Sequence, residues 1–135
     1  MKVLKQFQQG DVWIEQVDNL EGYRSTKDTS WNPKPIEVQF KPEYANKFTL
    51  AYGEATGHSH TLVAKNIVKD APMVADTVPE PIIEVAFDEP VFRLMEQAVL
   101  QHQEHNPITL EPGIYRFGQI FEYDYESQEN RYIAD

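Results

Sequence analysis

The chain has 135 residues, 12 Lys plus Arg against 22 Asp plus Glu, four histidines and no cysteine. The length predicts one domain, residues 1–135, able to bury a core without staples. A net charge of −10 argues against general nucleic-acid binding, and the missing cysteine excludes a disulfide scaffold, a thiolate zinc site and a thiol nucleophile. No apolar run reaches signal-peptide or membrane-span length, so the expected location is the cytoplasm, with no membrane partner.

Turn signals divide the chain into short extended runs. Asp11–Val17 alternates Val12 and Ile14 with Trp13 and Glu15, the period-two pattern of a half-buried strand. Asn19–Pro35 is polar, contains Gly22, Pro33 and Pro35, and reads as a loop. Pro35–Phe40 sets Ile36, Val38 and Phe40 on one face, and Lys47–Tyr52 alternates Phe48 and Leu50 with Thr49 and Ala51. His60–Ala64 and Ile82–Phe87 are further strands, separated by the proline-punctuated loop Lys65–Pro81. In Val91–His102 the apolar residues Val91, Leu94, Met95, Ala98 and Val99 fall at helical spacing. That periodicity predicts one short helix; two strands broken near Glu96–Gln97 are the other reading. Ile108–Leu110 and Ile114–Tyr125 complete the pattern, the latter with aromatics at every second position from Tyr115, interrupted at Gln119. The expected fold is mainly β, a small antiparallel barrel or sandwich, with α+β as the alternative.

Charge is placed unevenly. Residues 1–78 hold 9 basic and 10 acidic side chains, whereas residues 79–135 hold 3 and 12. A solvated acidic face explains this most simply; an acidic surface for docking a protein partner is the competing explanation.

The histidines fall in two places, His58 and His60 in GEATGHSHT and His102 and His105 in HQEHNP. Neutral imidazole suits zinc or iron, and residues i and i+2 of an extended segment share a face, so His58 and His60 can bite one ion. His102 and His105 share a face only on a helix. A divalent metal held by these four is therefore the favoured expectation, with Glu54 or Glu104 as further ligand, orienting acceptor or general base for metal-assisted hydrolysis. A metal-free pocket of imidazoles that hydrogen-bonds an anion or a sugar is the second expectation. The rival function is a non-catalytic accessory protein acting through the acidic surface. Either takes an unknown small molecule or protein as partner, and a homo-oligomer is compatible with both. The gap of 42 positions between His60 and His102 is the condition on the metal reading.

Two resemblances bear on these expectations. Gly53 followed by His58-Ser59-His60 is similar to the first motif of cupins, β-barrels whose H-x-H pair, with a Glu and a later His, holds a metal. Here TLVAKN follows without a Glu, and no histidine follows Pro112–Gly113. The resemblance therefore extends to His58 and His60 alone. More of the chain resembles a group of short, uncharacterised bacterial and phage proteins. The matching blocks are QGDVWIEQV at 9–17, LAYGEATGHSHTL at 50–62, HQEHNPITLEPGIYRFGQIFEYD at 102–124 and the final YIAD. That resemblance implies one continuous block from His102 to Tyr123 and favours strands over a helix in Val91–His102. It implies no activity.

Overall fold

In the computed structural model, residues 1–44, 47–52, 58–64, 81–124 and 129–132 are described. Twelve strands run in chain order: β1 Val3–Gln9, β2 Val12–Val17, β3 Phe40–Glu43, β4 Lys47–Tyr52, β5 Ser59–Ala64, β6 Ile83–Ala86, β7 Val91–Leu94, β8 Ala98–Gln101, β9 Ile108–Leu110, β10 Gly113–Gln119, β11 Phe121–Asp124 and β12 Glu129–Tyr132. A six-stranded antiparallel sheet has the order β1-β2-β10-β7-β6-β3, and a four-stranded one the order β4-β5-β8-β9. β11 and β12 pair as a hairpin. The two larger sheets do not close into a barrel, and the fold is mainly β and sandwich-like. Among the described residues there is no helix, and hence none long and apolar enough to cross a membrane.

Alternating burial shows why these segments pair. β5 reads Ser59, Thr61 and Val63 half-buried against His60, Leu62 and Ala64 buried, the inward–outward pleat of a one-sided sheet. The buried cluster joins both sheets, with Val12, Ile14, Phe92 and Tyr115 from one and Leu62, Leu100 and Leu110 from the other. Phe92 and Tyr115 are cross-strand neighbours with stacked rings 5.2 Å apart. Burial, and then the nearby Glu111 carboxylate, push the Tyr115 phenol up to about 12, and its hydroxyl donates to the Glu111 carbonyl at 2.6 Å.

Of the two readings of Val91–His102, the structure shows the two strands broken near Glu96–Gln97, the one the longer resemblance favours, and not the helix. β7 joins the six-stranded sheet and β8 the four-stranded one, so Met95–Gln97 is the crossing between layers. The apolar residues around that crossing serve two different sheets, and their combined spacing only imitates a helical stripe. The strand expected over Pro35–Phe40 is also displaced. Its ladder begins at Phe40, against Ala86 of β6, and runs to Glu43, while Ile36 is tied to the Tyr23 carbonyl at 2.8 Å. The run expected over Ile114–Tyr125 is divided at Ile120 between β10 and β11, and the Ile120 N–H donates to the Asp11 carbonyl at 2.7 Å, continuing the β2–β10 register by one pair. The Lys65–Pro81 loop lies outside the described residues, apart from Pro81.

The Asn19–Pro35 loop is held by one carboxylate. Glu89 accepts from Tyr23 Oη at 3.2 Å, from the Thr26 N–H and hydroxyl at 3.3 Å each, and from the Ser25 hydroxyl. Burial works to raise the Glu89 carboxyl, but the hydrogen bonds from Ser25, Thr26 and Tyr23 outweigh it and leave it below the ordinary 4.5. Burial first, then Glu89, push Tyr23 up to about 12.

Two outcomes are expected. The contribution of Glu89 is complete above pH 4.5 and is lost as pH falls through its lower folded value, whereas that of Tyr23 fades as pH rises from 10 through about 12. Amide protection factors at Ser25 and Thr26 should drop at both ends, and Glu89→Gln should abolish the acid-side change. Second, a Cβ on Gly118 would stand 2.6 Å from the Trp13 ring, its register partner across β2 and β10. Gly118→Ala should therefore lower stability by about 1–3 kcal/mol in urea unfolding.

Candidate functional site

The site grows from a two-residue hairpin turn. Gly10 and Asp11 join β1 to β2, with Gln9 and Val12 paired across the turn. Gly10 takes a positive φ of 55°, which glycine adopts without the steric cost a Cβ brings. The turn sends two polar side chains inward, and Gln9 and Asp11 are 2% and 1% exposed.

Between them sits His60, which is fully buried. Its Nδ1 lies 2.9 Å from Gln9 Oε1 and its Nε2 lies 2.9 Å from Asp11 Oδ1. The Gln9 amide is oriented by its own donors: Nε2 reaches the Leu100 carbonyl at 3.0 Å and the Asn106 carbonyl at 2.9 Å. Its oxygen therefore faces His60, and Nδ1–H donates to it. Gln119 Nε2 donates to the second Asp11 oxygen at 3.2 Å. Both nitrogens of His60 are thus engaged with acceptors in a network linking β1, the β1–β2 turn, β5, β8 and β10.

The other three histidines gather beside this ring. His102 and His105 stand on the hairpin loop between β8 and β9, and His58 immediately precedes β5. Ring centroids lie 4.3 Å apart for His60 and His102, 4.6 Å for His102 and His105, 5.5 Å for His58 and His102, and 6.4 Å for His60 and His105. The fold thus closes the sequence gap, since β5 and β8 are neighbours with Thr61 opposite Gln101. The Ser59 N–H donates to Gln103 Oε1 at 3.0 Å and fastens the two segments together.

The carboxylates divide. Glu104 is exposed, and its Oε1 lies 3.6 Å from His58 Nδ1. Its backbone N–H donates to His102 Nδ1 at 3.1 Å. Glu54, with Gly53 and Gly57, lies outside the described residues. No group of three or more His, Asp or Glu side chains among the described residues stands ready to hold a metal ion.

Comparison with known proteins gives a family match. The family described as a domain of unknown function, DUF8820, matches residues 8–119. The chain belongs to that family. The matched region begins just before Gln9 and ends at Gln119, so both edges of the network around His60 fall inside it. No curated protein and no solved structure gave a match.

Gln9 and Asp11 carry no role in the sequence reading. Their signal was the pleat of β5, which places His60 on the same face as the apolar Leu62 and Ala64. A histidine on a buried face demands a polar partner for each ring nitrogen. Asp11→Ala should leave buried Nε2 without an acceptor and cost about 1–3 kcal/mol in urea unfolding. Asp11→Ala combined with His60→Leu should cost less than the sum of the single substitutions, which a double-mutant cycle measures.

Proposed function

We propose that this chain is a metal-binding β domain whose ion is taken by His58, His102 and His105, with His60 orienting the cluster from beneath. One observation carries the reading: four imidazoles from two distant segments converge, with neighbouring centroids 4.3 to 5.5 Å apart. Two rings sharing one ion, each nitrogen about 2 Å from it, stand at comparable separations. His60 is withdrawn from the four-ligand set because Gln9 and Asp11 engage both its nitrogens. To ligate through Nδ1, His102 would have to turn away from the Glu104 amide that now donates to it. A zinc or iron ion there would supply Lewis acidity for hydrolysis, and Glu104, 3.6 Å from His58 Nδ1, would hold a proton taken from water. The resemblance of the ordered blocks supports a bacterial or phage source and carries no activity, location or substrate with it.

A metal-free reading has its own observation behind it. The Glu104 amide donates to His102 Nδ1, so a neutral His102 ring carries its proton on Nε2 and presents a donor. Such a donor suits an anion. The acidic-surface reading rests on the surplus of acid in residues 79–135.

Elemental analysis of tag-free protein separates the three. Near-stoichiometric zinc or iron, lost in His58→Ala and in His105→Ala with folding intact, is the expected result. Protein that takes up neither metal on addition overturns the metal reading. Imidazole NMR shifts on titrating such protein with acetate would then favour the anion pocket. Salt-sensitive capture of a purified basic protein, with the imidazole resonances unmoved, would favour the acidic surface.

A further inference from the structure

The outer face of the four-stranded sheet forms a groove of about 450 Å³ that ends at the imidazole cluster. Lys47 and Thr49 of β4, Ser59 and Thr61 of β5, Gln101 of β8 and His102 beyond it line this groove. A larger hollow of about 600 Å³, lined by Ile36, Val38 and Phe40, shares no residue with the cluster.

Register orders the groove. Lys47 faces Val63 in one row, Thr49, Thr61 and Gln101 form the next, and Ser59 stands one row further on. Three hydroxyls make a continuous ladder, with Thr49 Oγ1 3.5 Å from Thr61 Oγ1 and Thr61 Oγ1 3.2 Å from Ser59 Oγ. A hydroxyl has one proton and two lone pairs, so each rung keeps acceptor capacity after bonding its neighbour. No carboxylate lines the groove among the described residues, in a chain with 22 of them, and Lys47 supplies a cation at one end. From the Lys47 row to the Ser59 row is four residues along the strand, about 13 Å. The lysine side chain shortens that reach by several ångströms.

From this we infer that the groove binds a polyhydroxylated monocarboxylate of sugar-acid size, its carboxylate at Lys47 and its hydroxyls along the Thr49–Thr61–Ser59 ladder. The far end of the ligand meets His102. The inference extends the metal reading, because His102 is the wall shared by groove and cluster, but binding along the ladder needs no metal.

The test uses metal-free full-length protein titrated with D-glucuronate and, separately, D-glucose, followed by two-dimensional NMR. Saturable shifts confined to Lys47, Thr49, Ser59, Thr61, Gln101 and His102 are expected with glucuronate, and much weaker ones with glucose. Thr61→Val keeps the shape of the side chain and removes the middle rung, and should weaken glucuronate binding about 3- to 10-fold. Lys47→Met, at an exposed position where folding is safe, should weaken it about 10-fold or more. Glucuronate that leaves the spectrum unchanged at millimolar concentration overturns the proposal. So does glucose binding as tightly as glucuronate, or glucuronate binding that ignores both substitutions. Zinc uptake by the same samples is read separately. His105→Ala that loses zinc yet keeps the groove shifts supports both readings, while groove shifts in protein that never takes up zinc or iron support the groove and overturn only the metal.

Discussion

A fully buried imidazole with two polar nitrogens constrains the rest of this structure. Left without partners, such a ring would cost several kcal/mol against the apolar face on which Leu62 and Ala64 also lie. The fold meets that cost by bringing the tip of the β1–β2 hairpin down onto β5, so that Gln9 and Asp11 grip the ring from its two sides. Gln9 in turn spans to the Leu100 and Asn106 carbonyls, which belong to the strand and loop that carry His102 and His105. One network therefore sets the position of the four-stranded sheet's end, the β8–β9 loop and the six-stranded sheet's hairpin together.

The chain path makes this possible. It leaves the six-stranded sheet after β3, forms β4 and β5 in the other layer, returns for β6 and β7, crosses again for β8 and β9, and comes back as β10. Each crossing brings the two faces of the core together, so residues far apart in sequence become neighbours at one end of the sandwich. Burial of Phe92, Tyr115, Leu62 and Leu100 supplies the non-directional part of the stability. The directional part at that end is polar, and it specifies which side chains face one another.

Local alternation was legible wherever one strand serves one sheet. Lys47–Tyr52 stands where its period-two pattern puts it, Ile108–Leu110 where the flanking prolines set it off, and the Asn19–Pro35 loop was marked by its glycine and prolines. The helical spacing in Val91–His102 misled because its apolar positions are divided between two layers, whereas the break near Glu96–Gln97 marked the crossing. The bringing together of His58 with His102 was equally hidden, since only the pairing of β5 with β8 closes the gap. Gln9 and Asp11 stood in the sequence only within a resemblance block, Asp11 as the start of the strand to Val17, and a polar residue there reads as solvated until the facing sheet is in place.

The same network narrows what the cluster can do. A ring whose two nitrogens are both engaged has no lone pair to offer, so His60 acts on the other histidines through contact and orientation. His102 lies against it at 4.3 Å and next to His105 at 4.6 Å, which makes it the middle ring of the group. Its Nδ1 is tied to the loop through the Glu104 amide, so a ligand that needs this nitrogen competes with the loop's own conformation. A ligand that takes a donor from the ring does not. Chemistry at this site is therefore coupled to the geometry of residues 102 to 105, and the loop that supplies two of the imidazoles also sets which atoms of them face outward.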